Sequence, residues 1–415
     1  MNASVAAHTP PVPLTPYQRK LFVFLSVATF FEGYDFIALS QILPQLKQSM
    51  SLSETGVGAL VAWINLGTLI AFGLVGMADR WGRKRLMTIT IIGYTVTTFA
   101  TGLAPGLYSF ALLQLLARMF LIAEWATSMV YAAEEFPAAR RGMVIGVIQG
   151  FSSLGAIVCA GLVPFLLHTG YGWRSVYLVG IFPLVILMVA RRGLRESSRF
   201  LEEVANRKEK RSIFHIWQTP YRNRMLLLAM IWGLGYVCTN NATTFWKQFA
   251  MGERGLTDAQ VATAVAIAAV GSMPLVFAAG KLLDVVGRKP GAVVIFLVAS
   301  LGVVACYGAH GFAALTASLT VAIFGAAAFM PVMNALTAEL FPTSLRADAF
   351  AWSNNLLGRI TYVVSPVLLG LGASRFGWGP VLQLTAVGPI LALILILTTL
   401  PETKAKDLGE SAALS

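Results

Sequence analysis

The sequence predicts an all-α membrane protein with twelve transmembrane helices in two six-helix, pseudo-symmetric halves. Three observations lead to this prediction. The 415-residue chain is 57% hydrophobic and only 12% charged, whereas a soluble domain is about 25% charged. Its mean hydropathy is +0.71, and apolar runs of about 20 residues, long enough to cross a bilayer, recur along it. Two motifs from the first part of the chain are repeated in the second.

Apolar runs between short polar loops predict the twelve spans. They cover residues 20–46, 54–78, 86–104, 107–134, 142–168, 173–191, 222–251, 258–283, 290–309, 312–338, 345–373 and 378–400. The predicted organisation is a tail at 1–19, a first half at 20–191, a linker at 192–221, a second half at 222–400 and a tail at 401–415. The first 17 residues contain no Lys or Arg, so a cleaved signal peptide is not expected.

The distribution of basic residues predicts the orientation in the membrane. Arg and Lys cluster in alternate loops, most densely at residues 79–85, 191–211 and 284–290. The positive-inside rule places these loops in the cytoplasm, and an even number of spans places both termini there as well. The net charge of +12 is therefore explained by topology in a cell (inner) membrane, and we expect a lipid bilayer and no nucleic acid as partner.

Two repeated motifs relate the halves. D-x-x-G-R-K at residues 79–84 returns at 284–289, and E-x-F-P-x-x-x-R at residues 134–141 returns at 339–346. Both pairs have the same offset, which indicates an internal duplication. Parallel repeats about an axis along the membrane normal are a known transporter architecture, with the substrate site near the midplane between the halves.

These features resemble the major facilitator superfamily over the whole chain. The family pattern has a Gly four residues before the motif's Asp. Gly280 fits it in the second copy, whereas Val75 departs from it in the first. EGYD at residues 32–35 is similar to D-G-x-D of the aromatic acid:proton symporters and to E-x-Y-D-F of the metabolite:proton symporters. The resemblance implies a secondary active transporter that works by alternating access.

The repeated basic motifs also predict a cytoplasmic gate. An Asp at the end of a helix opposes the helix dipole, so Asp79 and Asp284 are expected to pair with cations. In the family such pairs hold the halves together on the cytoplasmic side and break during transport. Helix capping by the loop charges is the alternative. The predicted gate residues are Asp79, Arg83, Arg141, Asp284, Arg288 and Arg346.

Ionisable residues inside apolar spans are costly and usually mark a pathway. Glu32 and Asp35 are three positions apart, so they share one face of the first span. A carboxylate that takes up and releases a proton is what a proton-coupled carrier needs, and both are predicted to serve in proton coupling. Permanent neutralisation by Arg118 or Arg359 is the alternative.

The fourth span contains Arg118 and Glu124, which are six positions apart and are expected to face different directions. Glu124 is a second candidate for proton coupling. Arg118 resembles the family's arginine in this span, which implies that it neutralises an acid of the first span.

Arg359 lies near the middle of the eleventh span. Arginine stays charged when buried, so it needs an anionic partner from the protein or from a substrate. Gly358-Arg359 with Pro366 downstream is similar to the organic anion transporter and synaptic-vesicle-glycoprotein-like branch, which implies a substrate carboxylate as the partner. The other predicted substrate-binding residues are polar or aromatic: Tyr362, Asn355, Asn240, Asn241, Trp232 and Gln149.

These residues predict proton-coupled uptake of a small organic anion, a monocyclic aromatic or heteroaromatic carboxylate of the benzoate or nicotinate type. The alternatives are a carrier or exporter of neutral or cationic solutes (sugar, metabolite or drug) and a non-transporting membrane sensor. No nucleophile constellation, metal cluster or nucleotide loop indicates an enzyme or a cofactor. A monomer is expected, and the three cysteines, all in apolar spans, are expected to serve in packing.

Overall fold

The computed structural model describes residues 13–77, 81–180, 185, 193–197 and 213–403. Throughout these ranges the regular structure is helical, and no strand occurs in them.

The helices are labelled in chain order. The first six are α1 (Pro16–Ser49), α2 (Glu54–Gly76), α3 (Arg83–Gly102), α4 (Leu107–Glu135), α5 (Ala138–Leu167) and α6 (Arg174–Val179). A short 3-10 helix, Ile213–Gln218, precedes the second set. That set consists of α7 (Arg222–Thr244 and Trp246–Gly252), α8 (Asp258–Val286), α9 (Arg288–Gly308), α10 (Phe312–Glu339), α11 (Thr343–Phe350, Ala351–Leu357, Gly358–Ile360 and Thr361–Phe376) and α12 (Trp378–Leu384 and Val387–Thr399).

Ten helices of the described part are long and apolar enough to cross a membrane. The helix α3 is not among them because its many threonines lower its hydropathy. Four of its threonine hydroxyls donate to backbone carbonyls one turn back, as Thr95 does to Ile91 at 2.6 Å, which satisfies them inside the helix. The helix α6 is described only in part, so the twelfth crossing stays a prediction.

Three helices begin directly after a Ser or Thr residue that caps the helix N-terminus with its side chain. Thr15, Ser53 and Thr257 stand just before α1, α2 and α8, and each hydroxyl accepts the backbone N–H three residues later. In the repeated D-x-x-G-R-K loops, Gly82 and Gly287 have φ of 89° and 110°. Other residues rarely adopt this conformation, so the glycines permit the sharp turn into α3 and α9.

Glycines also allow close packing between helices. A Cβ on Gly33 of α1 would overlap the Ser152 backbone of α5, and one on Gly58 of α2 would overlap the Pro366 carbonyl of α11. The pair α1/α5 lies within the half formed by α1–α6, called here the N-terminal half. The pair α2/α11 joins it to the half formed by α7–α12, the C-terminal half.

Three helices that the sequence predicts as continuous are interrupted. The helix α7 breaks at Phe245, and α12 breaks between its two segments. In α11 a π-helical stretch, Ala351–Leu357, leads into a 3-10 turn, Gly358–Ile360. The Gly358 N–H bonds to the Ser353 carbonyl five residues back. Hydropathy indicates how long an apolar helix is, but it does not indicate where the backbone hydrogen-bond pattern changes. Such π-bulges are frequent at functional sites.

Candidate functional site

The repeated motifs build matching charge networks on one side of the membrane, called here the basic side. In the N-terminal half, Arg83 Nη2 lies 3.0 Å from Glu134 Oε1. The Ser197 hydroxyl donates to Glu134 Oε2 at 2.6 Å. Glu196 Oε1 accepts the backbone N–H of Arg83 at 2.8 Å and of Lys84 at 3.1 Å. The carboxylate of Glu196 therefore caps the start of α3, where the helix dipole favours an anion.

The C-terminal half repeats this network. Arg288 Nη2 lies 2.6 Å from Glu339 Oε1, and the Thr403 hydroxyl donates to Glu339 Oε2 at 2.5 Å. The Glu402 carboxylate accepts the backbone N–H of Arg288 at 3.0 Å and of Lys289 at 2.8 Å. Each network joins segments of one half, so the arginines of the repeated motif stabilise each bundle at its basic end.

Part of the predicted gate lies outside the described residues. This is so for Asp79 and for the side chains of Arg141 and Asp284. The Arg346 guanidinium donates to the Phe341 carbonyl at 3.4 Å, within its own half. The pairing of the two aspartates therefore stays a prediction.

Two of the predicted coupling acids face each other. Glu32 of α1 and Glu124 of α4 have neighbouring carboxyl groups, and the two residues are 6% and 4% exposed. The Ser128 hydroxyl donates to Glu124 Oε1 at 2.7 Å, whereas no described donor reaches either oxygen of Glu32. Two neighbouring ionised carboxylates repel each other. One proton between them would replace that repulsion with a hydrogen bond.

The third acid, Asp35, has different neighbours. Its carboxylate lies beside the Tyr94 hydroxyl and near Arg118, but no salt bridge joins Asp35 to Arg118 in the described part. The Arg118 guanidinium instead lies over the Phe36 ring, 4.8 Å from its centroid. Tyr94 of α3 is also close enough to Glu32 to interact with it electrostatically.

In the C-terminal half, Arg359 lies on the 3-10 turn of α11 and is 8% exposed. Tyr236 and Tyr362 neighbour its guanidinium. No described group accepts a hydrogen bond from its Nε, and none of the described carboxylates forms a salt bridge with it. The Tyr236 hydroxyl donates to Asn354 Oδ1 at 2.5 Å. The protein ion pair considered for Arg359 is thus not formed by the described residues.

The two buried arginines lie near the boundary between the halves. Arg118 from α4 and Arg359 from α11 are both close enough to the Tyr362 hydroxyl to act on it electrostatically. The Asn65 amide of α2 donates to the Tyr362 carbonyl at 2.9 Å. Asn65 and Arg118 line a small cavity together with Asn240 of α7. The folded chain thus places a cation from each half within electrostatic range of one tyrosine.

A larger cavity of about 440 Å³ lies next to this region. Its wall comes from α1 and α5 of the N-terminal half and from α7, α8 and α10 of the C-terminal half. The volume suits a small molecule. Most of the wall is apolar, and its polar or aromatic members are Ser40, Gln41, Gln149, Ser153, Thr243, Trp246, Lys247 and Ser272. Ser40 also lines the small cavity beside Arg118, so the two spaces adjoin.

The halves are joined on the side opposite the basic loops. One hydrophobic cluster there contains residues of both halves, whereas towards the basic side each half has a cluster of its own. Across the joint, Glu54 Oε2 accepts the Trp378 indole N–H at 2.9 Å and the Gln248 amide at 3.5 Å. At Gly146 and Gly150, which line the basic end of the large cavity, an added Cβ would meet nothing within 4 Å. The cavity is therefore closed on the side opposite the basic loops, and there is open space beside Gly146 and Gly150.

Comparison with known proteins identifies the family. A family model described as Major Facilitator Superfamily matches residues 25–252 and 236–413. The chain belongs to the Major Facilitator Superfamily. The predicted family, the all-α membrane fold and the transport role are therefore confirmed.

Two relatives and one solved structure match this chain along nearly its full length. The chain is 26% identical over 415 residues to a gallate transporter of Pseudomonas putida, covering 91% of this chain and 90% of the relative. It is 27% identical over 380 residues to a cis,cis-muconate transport protein of Acinetobacter baylyi, covering 85% and 87%. A crystal structure of a D-xylose–proton symporter has a TM-score of 0.77 at 18% identity and covers 94% of this chain and 99% of that chain. At that identity the likeness shows the major facilitator fold alone.

The remaining predicted substrate residues are spread over this major facilitator fold. Gln149 lines the large cavity and Asn240 the small one. The Asn241 amide donates to the Ser365 hydroxyl at 2.7 Å, which ties α7 to α11. The Trp232 indole donates to Thr337 at 3.2 Å within the core of the C-terminal half. Asn355 is half-buried on the π-helical stretch.

Sequence reasoning missed three residues of this transporter's interior. Lys247 lies near the end of an apolar run, where a lysine usually reaches the interface; the break at Phe245 instead leaves it 2% exposed in the cavity wall. Gln41 and Tyr94 are uncharged, and no feature of the sequence indicated that they lie near the functional site. The one available signal was Lys247 itself, a cation inside an apolar run with Asp258 a short distance further on.

Proposed function

We propose that the protein couples uptake of a small organic acid to protons, and that the acid is a monocyclic aromatic or heteroaromatic carboxylate. One observation carries the proposal. Arg118 and Arg359 come from opposite halves, both act electrostatically on Tyr362 and have no carboxylate in salt-bridge contact within the described part. Buried guanidinium groups stay charged, so an anionic substrate supplies the missing counter-charge. The names of the gallate and cis,cis-muconate relatives support an acid as the substrate.

The aromatic side chains around the arginines suit a flat ring. The rings of Tyr236 and Tyr362 are edge to face, with centroids 4.9 Å apart, and Trp246 lines the adjoining cavity. Aromatic pairs add about 0.5–1.5 kcal/mol beyond the burial of their area. A ring placed here has its carboxylate within reach of a cation from either half.

Proton coupling is assigned to the carboxyl groups of the N-terminal half. Glu32 and Glu124 form the proton-binding pair, Asp35 lies near Arg118, and the Tyr94 hydroxyl lies beside Asp35 and near Glu32. Because Arg118 adjoins both Asp35 and the substrate region, a bound anion competes with Asp35 for the same guanidinium. That competition links substrate binding to protonation.

The topology completes the proposal. The basic side is cytoplasmic, both termini lie in the cytoplasm, and the protein acts as a monomer in the cell (inner) membrane. The present conformation is then inward-open, since the halves meet on the opposite side. Alternating access closes the basic side and opens the opposite side around the two arginines.

Uptake into proteoliposomes tests this function. Radiolabelled benzoate and nicotinate are supplied outside, with the lumen alkaline. We expect accumulation of at least one acid above its outside concentration, and loss of accumulation when a protonophore collapses the gradient. Accumulation of neutral or cationic solutes in place of acids, or uptake of acids without gradient dependence, would contradict the proposal.

A further inference from the structure

Lys247 is a buried cation that the proposed acid site does not use. It lies on the second segment of α7, just after the break at Phe245, and is 2% exposed. Its side chain lines the large cavity beside Trp246. Arg118 lines the small cavity, which shares Ser40 with the large one, so a buried cation lies beside each of the two cavities.

The ion pair with Asp258 does not use the full donor capacity of this lysine. Lys247 Nζ lies 2.5 Å from Asp258 Oδ1. An ammonium group has three N–H donors, and no described group accepts a well-oriented hydrogen bond from Nζ. Asp258 is the first residue of α8, and its side chain is 21% exposed. A purely structural tie between α7 and α8 leaves donors of Lys247 unused in the wall of a cavity, where unpaired polar groups are costly.

Gln41 provides a second unpaired polar group in the same wall. It belongs to α1 of the N-terminal half, is 4% exposed, and no described donor reaches its Oε1. Lys247 and Gln41 therefore present hydrogen-bonding capacity to the large cavity from both halves. The rest of that wall is mostly apolar, with the Trp246 indole as its aromatic member.

We propose that Lys247 and Gln41 form a second polar subsite, in which the Lys247 ammonium donates to a second carboxylate or a ring hydroxyl of the transported acid and Gln41 Oε1 accepts from such a hydroxyl. The inference rests on the proposed function, since it assumes that a first carboxylate is held at Arg118 and Arg359. The preferred substrates are then ring acids with a second acidic or hydroxyl group at the far end, rather than simple monocarboxylates.

Binding of matched acids to purified protein tests the subsite. The probes are benzoate, 4-hydroxybenzoate and benzene-1,4-dicarboxylate, with dissociation constants measured by calorimetry. Wild type is compared with Lys247→Met, Lys247→Arg and Asp258→Asn. The Asp258→Asn variant is the matched control because it breaks the ion pair but keeps the ammonium. Monodispersity and thermal stability report folding, and the double variant K247M/D258N replaces Lys247→Met if the orphaned aspartate prevents folding.

We expect Lys247→Met to weaken dicarboxylate binding by about ten- to a hundredfold, the effect of losing a charge-assisted hydrogen bond. Benzoate binding should change far less, and Lys247→Arg should restore part of the loss. Asp258→Asn should leave dicarboxylate binding unchanged or tighter. Equal weakening of benzoate and dicarboxylate by Lys247→Met, or the same loss in Asp258→Asn, would overturn the subsite and leave a structural ion pair. If no acid binds wild type, the proposed function fails and the subsite with it.

Discussion

At the scale of single residues, the central feature is how the buried charges are partnered. The spacing of residues along a single helix is sufficient to predict that Glu32 and Asp35 share one face of α1. It is likewise sufficient to predict that Glu124 and Arg118 of α4 face different directions. It does not predict that Glu32 faces Glu124 while Asp35 faces Tyr94. Those partners depend on the rotation of α1 against α3 and α4, which the packing of side chains decides.

Because Glu32 and Glu124 are proposed to share a proton, substitution of either should affect transport in the same way. Glu32→Gln and Glu124→Gln each leave one carboxyl group without its partner, so each should abolish gradient-driven accumulation of the substrate acid. Exchange of labelled for unlabelled substrate should survive in both, because exchange moves no net proton. Ser128→Ala removes only the hydroxyl that bonds to Glu124 and should keep accumulation. Normal accumulation in either Gln variant would remove that residue from proton coupling.

At the scale of elements, hydropathy and motifs account for the helices but not for their interruptions. The repeated D-x-x-G-R-K and E-x-F-P motifs predicted matching halves, and the Arg83–Glu134 and Arg288–Glu339 pairs are built from them. The additional partners Glu196 and Glu402 lie far along the chain from α3 and α9, so local patterns did not indicate them. The π-helical stretch before Arg359 was likewise not predictable, because it is a change of register within an apolar run.

The register change of α11 depends on Gly358. A Cβ there would lie 2.7 Å from the Ser353 carbonyl oxygen and 2.8 Å from Trp232 Cβ. Overpacking of this kind costs about 1–3 kcal/mol, so Gly358→Ala should lower the thermal unfolding temperature and weaken substrate binding by displacing Arg359. Gly161→Ala on α5 is the control, since nothing lies within 4 Å of its added Cβ. Equal stability of the two variants would show that α11 accommodates the extra methyl group.

At the scale of the whole molecule, alternating access requires two conformations that exchange around one site. On the side opposite the basic loops the halves share a hydrophobic cluster, and Glu54 accepts hydrogen bonds from Trp378 and Gln248 of the other half. Towards the basic side each half has its own cluster. The family resemblance implied this exchange from sequence. Which side is closed depends on contacts between distant segments, and the sequence did not show it.

Removing the Glu54 contacts should favour opening on that side. States of such an equilibrium differ by a few kcal/mol, and loss of about 1 kcal/mol would change their ratio about fivefold. In Glu54→Ala, spin labels at residues 170 and 374 should show more of the longer distances between halves. The three native cysteines are buried, so labelling is selective.

Glu253→Ala is the control for that measurement. Glu253 bonds to the backbone N–H of Trp378 and of Gly379 within the C-terminal half, so its removal disturbs the same tryptophan without breaking a contact between halves. Identical distance distributions in Glu54→Ala and wild type would show that Glu54 does not hold this side closed.

The most direct test of the account measures how a carboxylate substrate and its uncharged amide bind when Arg359 is changed. A charge-assisted hydrogen bond contributes about 1.5–3 kcal/mol, so Arg359→Ala should weaken carboxylate binding by about ten- to a hundredfold or more. Arg359→Lys should restore only part of it, because lysine lacks the planar fork. The amide should bind wild type weakly and lose little in the variant. Unchanged affinities for both ligands in a monodisperse Arg359→Ala protein would contradict the anion site between the halves.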